Sequence, residues 1–468
     1  MTKTGRISHA TAKEVSLAKQ ISGVTTAALL LTSLCLGQIA VTVSPRSGPP
    51  TGQTSVSGSG FSPNARIHIY FDRTYESSTL ADGSGSFSNV AIEIPVSAIP
   101  GRYPVRAVEV SNQTGGQAPF RVNTNWPTFD LKPFGGRWNR YENEINTSDV
   151  RNLSLNWSHT TGNSVYSSPA VADGVAYVGS LDGNIYALSA TTGARIWSFI
   201  TGNQVPASPT VADGVVYFGS YDGNVYALDT ATGVKLWSFT TGGGVGSSPA
   251  VANGVVYIGS FDDNLYALNA TTGAKLWSFA TSGAVFSSPA INNGVVYIGS
   301  FDGNIYALNA ATGAKLWSFT TGGQVYSSPA VSNGVVYIGS LDNNVYALSA
   351  TTGTLLWSYA TGGSVQSSPA VAYGMVYIGS NDSNLYALNA VSGSKLWSFS
   401  APNYIYSSPA AANGVVYVGS LDNNIYALNG ATGAKLWSFT TGSWVFSSPA
   451  VANGVVYVGS YDNSVYAF

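Results

Sequence analysis

The chain has 468 residues, enough for roughly two to four ordinary domains or for one repeat architecture with additions. It carries 20 Lys+Arg, 22 Asp+Glu and 53 Gly, and a net charge of −2 excludes nucleic-acid binding by a basic excess, which phosphate neutralisation requires. A single cysteine, Cys35, excludes an intramolecular disulfide and a thiolate metal cluster; His9, His68 and His159 are too scattered in sequence for a zinc-site spacing.

In chain order, residues 1–37 read as an export signal. Lys3, Arg6, Lys13 and Lys19 against Glu14 make a basic leader, and residues 21–45 contain no charge. The most apolar part, residues 24–36, has the length of a signal-peptide core and falls short of the roughly 20 residues of a membrane-spanning helix. Small residues place cleavage after Gly37. Leu34 is a poor residue ahead of a lipidated Cys35, and an uncleaved anchor is the alternative. In either case the leader is expected to stay inside and the rest to be exported, as a secreted or cell-surface protein.

Residues 39–123 predict a small β-sandwich. Runs at 39–43, 65–71, 86–94 and 103–110 alternate or cluster β-branched and aromatic residues between turn signals at Gly58, Asp82-Gly83 and Pro100-Gly101. The stretch Ser57-Gly58-Ser59-Gly60-Phe61-Ser62-Pro63, with Asp82-Gly83-Ser84-Gly85 and Pro100-Gly101-Arg102-Tyr103, resembles the immunoglobulin-like modules of bacterial surface proteins. That resemblance implies a spacer or adhesive role. His68, inside an alternating run, reads as structural.

After a linker at 124–152, residues 153–468 repeat one unit eight times. Trp157, Trp197, Trp237, Trp277, Trp317, Trp357, Trp397 and Trp437 recur every 40 residues without slip. Such a period means a solenoid or a propeller, because one unit has too little core to fold alone. Each unit holds four strand-like runs separated by Asn-Gly, Asp-Gly or Thr-Gly turns, which predicts a four-stranded antiparallel blade. The second run, Val-Val-Tyr-Ile-Gly in most copies, is apolar on both alternations, so both sheet faces must be covered by neighbours. The fold class is therefore all-β, an eight-bladed β-propeller preceded by a small β-sandwich. The last unit stops after three strands, and residues 153–157 are an isolated copy of the fourth, so the N-terminal strand should complete the last blade and close the ring.

The segment Ala307-Leu308-Asn309-Ala310-Ala311-Thr312-Gly313-Ala314-Lys315-Leu316-Trp317 and its sisters resemble the tryptophan-docking motif of pyrroloquinoline quinone (PQQ) repeat propellers, with the indole between blades. Residues 257–268 are similar to the same repeats, and Trp126-Pro127-Thr128-Phe129 through Trp157 to the segment that precedes such propellers. The resemblance covers residues 126–468. It implies either a quinoprotein dehydrogenase or a non-catalytic scaffold of the outer-membrane assembly type.

A dehydrogenase of that kind would require PQQ with Ca²⁺ held by Glu, Asn and Asp, a catalytic Asp and usually a vicinal Cys-Cys pair. After Trp157 the sequence contains no Glu and no Cys. Eight of its Asp residues fall at one repeat position (Asp182, Asp222, Asp262, Asp302, Asp342, Asp382, Asp422, Asp462), where an Asx-turn role is the simpler reading. No catalytic residue and no metal site is assigned, and no cofactor is expected outside the dehydrogenase alternative. Departures from the repeat are more informative. The linkers between blades vary ahead of Ser-Ser-Pro and should share a face with the Asp loops, so that Tyr166, Phe286, Tyr326, Gln366, Tyr404, Tyr406, Trp444 and Phe446 form an aromatic rim at the channel mouth. Such a rim suits a protein or glycan ligand, or else fills the channel. Arg195, Lys235, Lys275, Lys315, Lys395 and Lys435 are placed in the third-to-fourth-strand loops of the opposite face. The expected function is a non-catalytic, exported binding or assembly scaffold; the alternatives are a PQQ-dependent oxidoreductase and a carbohydrate-binding surface protein.

Overall fold

The computed structural model describes residues 39–131 and 136–468, and the export signal expected over residues 1–37 lies outside them. Among the described residues no helix is long and apolar enough to cross a membrane. The first eight strands are β1 (Ala40–Ser44), β2 (Ser47–Gly48), β3 (Gln53–Ser59), β4 (Arg66–Phe71), β5 (Thr74–Leu80), β6 (Phe87–Glu93), β7 (Gly101–Glu109) and β8 (Gly115–Val122). They form two sheets, ordered β1-β3-β6 and β2-β8-β7-β4-β5. Inward residues of both sheets, among them Val43, Val56, Ile67, Ile69, Phe71, Ile92, Val105 and Phe120, share one core. Gly58, expected in a turn, instead lies within β3 at a register shift against β6. The Phe87 ring comes within 2.6 Å of where a Cβ would stand, so the glycine answers to packing and not to chain reversal.

Eight four-stranded antiparallel blades follow, one of them extended by a short fifth strand from the linker. Blade 4 is representative, with an inner strand Ala290–Asn292, then Val295–Gly299, Asn304–Asn309 and an outer strand Lys315–Thr320. The hairpin between the first two strands has positive φ at both turn residues, as in Asp173 (51°) and Gly174 (84°), the backbone twist that a two-residue hairpin needs. The apolar second strand is buried along its length apart from its first residue in nearly every blade, because residues of the adjacent blade cover it. Leu265 and Ala267 of blade 3, for instance, share a cluster with Val296 and Ile298 of blade 4.

The indoles bond across neighbouring blades. Trp317 of blade 4 donates its Nε1–H to the Ala350 carbonyl of blade 5 at 3.0 Å, and the Tyr297 hydroxyl donates to the same carbonyl at 3.1 Å. At the ring seam Trp157 and Tyr457 converge in the same way on the Ala190 carbonyl, at 3.0 and 3.2 Å. The closing strand is Trp157–Thr160, antiparallel to Ser464–Ala467, and begins four residues later than the expected start at Leu153. Residues 153–156 have another use, since the Leu153 carbonyl accepts from Trp437 at 3.0 Å, a bond that elsewhere goes to a third-to-fourth-strand loop. The Tyr417 hydroxyl, which should share that acceptor, has no partner among the described residues.

A second closed circle lies at the channel. The backbone N–H of Ser168 donates to Ser208 Oγ of the next blade, and the pattern repeats through Ser248, Ser288, Ser328, Ser368 and Ser408 until Ser448 donates to Ser168 at 2.9 Å. The Ser-Ser-Pro motif is therefore a ring fastener as well as a landmark.

The basic residues expected in the third-to-fourth-strand loops are instead the first residues of the outer strands, as in Arg195–Ile200 and Lys235–Thr240. A cation on an edge strand opposes edge-to-edge pairing of copies, which gives a physical reason for its repetition.

The segment from 124 onward is no passive linker. Trp126 bridges Val171 of blade 1, Val211 of blade 2 donates to the Pro127 carbonyl, Val371 of blade 6 donates to Gly136, and Ala411 of blade 7 donates to Arg137. The inner strands present unpaired N–H groups to the channel, and this segment supplies carbonyls to them. Arg137, fully buried, bonds through Nε to Pro409 and through Nη2 to Pro449, each at 2.8 Å, and through Nη1 to Phe129. Its guanidinium lies 4.5 Å from the centre of the Phe129 ring. Trp138 packs on Tyr373 at 5.2 Å, and the Tyr373 hydroxyl accepts from Gly414 N–H. That contact accounts for a tyrosine with φ of 54° where sister blades have Asn or Asp.

Candidate functional site

The face of interest carries the loops between second and third strands together with the interblade linkers. Asp302 shows how they are joined. Its Oδ1 accepts from Asn304 N–H at 2.9 Å, closing an Asx-turn, while Oδ2 accepts from the Tyr306 hydroxyl at 2.7 Å and from Ser282 N–H in the incoming linker at 3.0 Å. Equivalent bonds hold Asp182, with Gly162 N–H donating at 2.7 Å. Asp422 lacks the linker bond because Pro402, which has no N–H, stands at that position. Partial burial alone would raise these carboxyls, but the donors outweigh it and hold Asp182, Asp222, Asp262, Asp302, Asp342 and Asp382 below the ordinary carboxylate value. The aspartates are structural fasteners of the mouth.

Inside this ring the linker residues converge. Tyr166, Phe286, Tyr326, Gln366, Tyr406 and Phe446 line the channel together with Pro206, Gly246 and the serine ring, and Phe129 of the threaded segment also lines it. Phe446 lies 5.4 Å from Tyr166 and 5.3 Å from Tyr406. Phe286 lies 5.6 Å from Tyr326. Tyr404 and Trp444 do not line the channel; they stand outside it, 46% and 47% exposed, against Tyr406 and Phe446 respectively.

The sequence reading missed a second set. Tyr221, Phe261, Phe301 and Tyr461, each directly before a ring aspartate, complete two aromatic arcs. One runs Tyr221–Phe261–Phe286–Phe301–Tyr326, with Phe301 and Tyr326 4.1 Å apart. The other joins Tyr406, Phe446, Tyr461 and Tyr166. The signal was available, because sister copies have Leu181, Leu341, Asn381 and Leu421 there. Gly246 is small for a reason: its Cβ would stand 2.7 Å from the Phe286 ring.

The remaining channel cavity is about 80 Å³. Pockets for small molecules run to roughly 300–1,000 Å³, so this space suits a few waters and does not accommodate a tricyclic quinone. Among the described residues no group of three or more His, Cys, Asp or Glu side chains is placed to hold a metal ion. At the mouth the oxygens of the ring aspartates are already bonded to backbone N–H groups and tyrosine hydroxyls. Burial pushes the Tyr166, Tyr326 and Tyr406 hydroxyls above the ordinary tyrosine value. With these raised and the six aspartates lowered, none of these groups titrates near neutrality, as general acid–base catalysis prefers. What the mouth can offer is contact area. Phe261, Tyr404 and Trp444 project from an otherwise filled surface.

Residues 140–334 match the family described as beta-alanine-activating enzyme, beta-propeller. Residues 302–405 and 402–468 match the family described as outer membrane protein assembly factor BamB. No curated protein matches the sequence. Among solved structures, a europium-containing methanol dehydrogenase is similar over 72% of this chain and 90% of its own, at 16% identity and a TM-score of 0.65. BamB from Moraxella catarrhalis is similar over 67% of this chain and 99% of its own, at 21% identity and a TM-score of 0.60. Quinohemoprotein alcohol dehydrogenase from Comamonas testosteroni covers 74% and is covered over 80%, at 18% identity and a TM-score of 0.66. At such identities the likeness is one of fold.

Proposed function

Residues 140–468 are a PQQ-like β-propeller, and from that premise we propose that the protein is a non-catalytic, exported scaffold that engages a partner at the channel mouth. One observation carries the proposal: the channel is filled from within, yet Phe261, Tyr404 and Trp444 stay 38–47% exposed on the mouth face. Phe261 also serves the packed arc, but the repeat does not demand an aromatic at Tyr404 or Trp444, whose equivalents are Ser, Gln, Gly or Ala in the other copies. Exposed aromatics on a flat surface suit a protein or glycan partner more than a small molecule. The match to an outer membrane assembly factor supports a protein partner and an extracytoplasmic location, as does the basic leader. The small cavity and the occupied aspartates speak against the quinone-dependent alternative. The preceding sandwich, with sheets ordered β1-β3-β6 and β2-β8-β7-β4-β5, we read as an immunoglobulin-like spacer.

Tyr326 and Tyr406 are packed into the arcs, so the cleaner probe is Tyr404→Ala with Trp444→Ala. A partner captured from an envelope extract or on a glycan array by the wild type is expected to be lost by the double variant, with melting changed by no more than about 2 °C. Equal capture by both proteins would remove the mouth as the site. A saturable quinone spectrum on adding PQQ and Ca²⁺ would overturn the non-catalytic reading.

A further inference from the structure

The outward face of the five-stranded sheet in the sandwich differs in charge from the rest of the molecule. Residues that alternate with the buried Ile67, Ile69, Val105, Ala107, Ala118 and Phe120 point outward on β4, β7 and β8. Arg66, Arg102, Arg106 and Arg121 are among them, all exposed. Register places Arg106 opposite Tyr70 and Arg102 directly opposite Arg121. The acids of this sandwich lie elsewhere: Glu109 is buried among Ser62, Ser111 and Asn112, Glu93 ends β6 in the other sheet, and Asp72 and Asp82 sit in turns. The Glu76 carboxyl, on β5, is raised above its ordinary value by burial and by the nearby Glu93. Like charges directly opposite on neighbouring strands are destabilising, and the fold keeps Arg102 against Arg121 without a neutralising carboxylate from the sheet.

Beside the arginines stands an aromatic platform. His68, Tyr70 and Tyr75 meet edge to face, with ring centres 5.2–6.3 Å apart, and Tyr75 is 53% exposed. At the other end the face runs into a cleft against the propeller. Arg102 and Arg121 line a space of about 390 Å³ whose wall also carries Glu144, so the arginines outnumber the acid two to one there, and Arg121 continues into a neighbouring space of about 450 Å³ beside Thr191 and Tyr457.

We propose that this sheet face and the cleft that continues it bind an anionic polysaccharide. Guanidinium groups pair bidentately with carboxylate or phosphate, their spread over three adjacent strands suits an extended chain, and the aromatic platform supplies apolar contact for sugar rings beside the charges. The inference does not rest on the channel mouth. Titration of the purified full chain with polygalacturonate and with a phosphorylated mannan tests it and separates carboxylate from phosphate as the recognised group. Saturable binding of one polymer is expected, weakening with salt. Arg102→Gln with Arg121→Gln should lower affinity on the order of tenfold while melting stays level or rises, because the like-charge pair is gone. The Tyr404→Ala/Trp444→Ala protein should bind the polymer as the wild type does. Failure of both polymers to bind at low salt, unchanged affinity in the arginine variant, loss in the mouth variant, or equal binding of duplex DNA would each overturn it.

Discussion

Single residues recur here with one job each, which makes their departures readable. The Ala350 carbonyl accepts from both Trp317 and Tyr297. Tyr297→Phe should cost about 1 kcal/mol, the net worth of one hydrogen bond, and Trp317→Phe more, because it also trims the indole packed on Gly353; the double variant leaves the carbonyl short of both donors and should lose more than the sum. Chemical denaturation of the three variants checks this. The ring aspartates predict acid sensitivity. Asp182, Asp222, Asp262, Asp302, Asp342 and Asp382 have folded values below their unfolded ones, so their contribution is present above about pH 4 and disappears as pH falls through the depressed values. Melting temperature should therefore drop steeply below about pH 3.5; a flat profile there would deny these carboxylates that role.

At the scale of elements, the threaded segment matters most. Burial raises the Asp130 carboxyl to about 7, with Arg137 opposing the rise, and lowers Arg137 to about 10. The folded value of Asp130 exceeds its unfolded one, so the folded state holds an extra proton between about pH 4 and 7 and stability falls as pH rises through that window. Asp130→Asn, which mimics the protonated acid, should melt above the wild type at pH 8.5 and close to it at pH 5. Thermal melts at the two values check this. The indole spacing made the blades legible from the sequence because every unit solves the same packing problem. The threading of residues 126–131 and 136–139 was not legible: the segment occurs once, and its partners in the blades lie 45 to 312 residues away in chain order, from Val171 against Trp126 to Val451 against Asn139.

For the whole molecule, rigidity depends on the seam. Trp157–Thr160 supplies the fourth strand of the last blade, the serine circle passes from Ser448 to Ser168, and the Ala190 carbonyl receives both seam donors. Deleting residues 153–160 exposes the edge of Ser464–Ala467 and removes the Trp437 acceptor at Leu153. Loss of cooperative melting and concentration-dependent aggregation are the expected outcome, read by calorimetry and light scattering. Unchanged melting would mean that the ring does not need its seam.

The repeat alone determined the blade, the number of blades, the docking indoles and the turn aspartates, because local period and turn chemistry dictate each of them. Tertiary structure decided what the mouth became. Tyr166 and Phe446 stand at opposite ends of the repeat array and meet only when the circle closes. Phe129 reaches the same channel from outside the repeat. Whether an aromatic side chain ends up packed or exposed depends on which neighbours arrive across that circle, and no local pattern encodes their arrival.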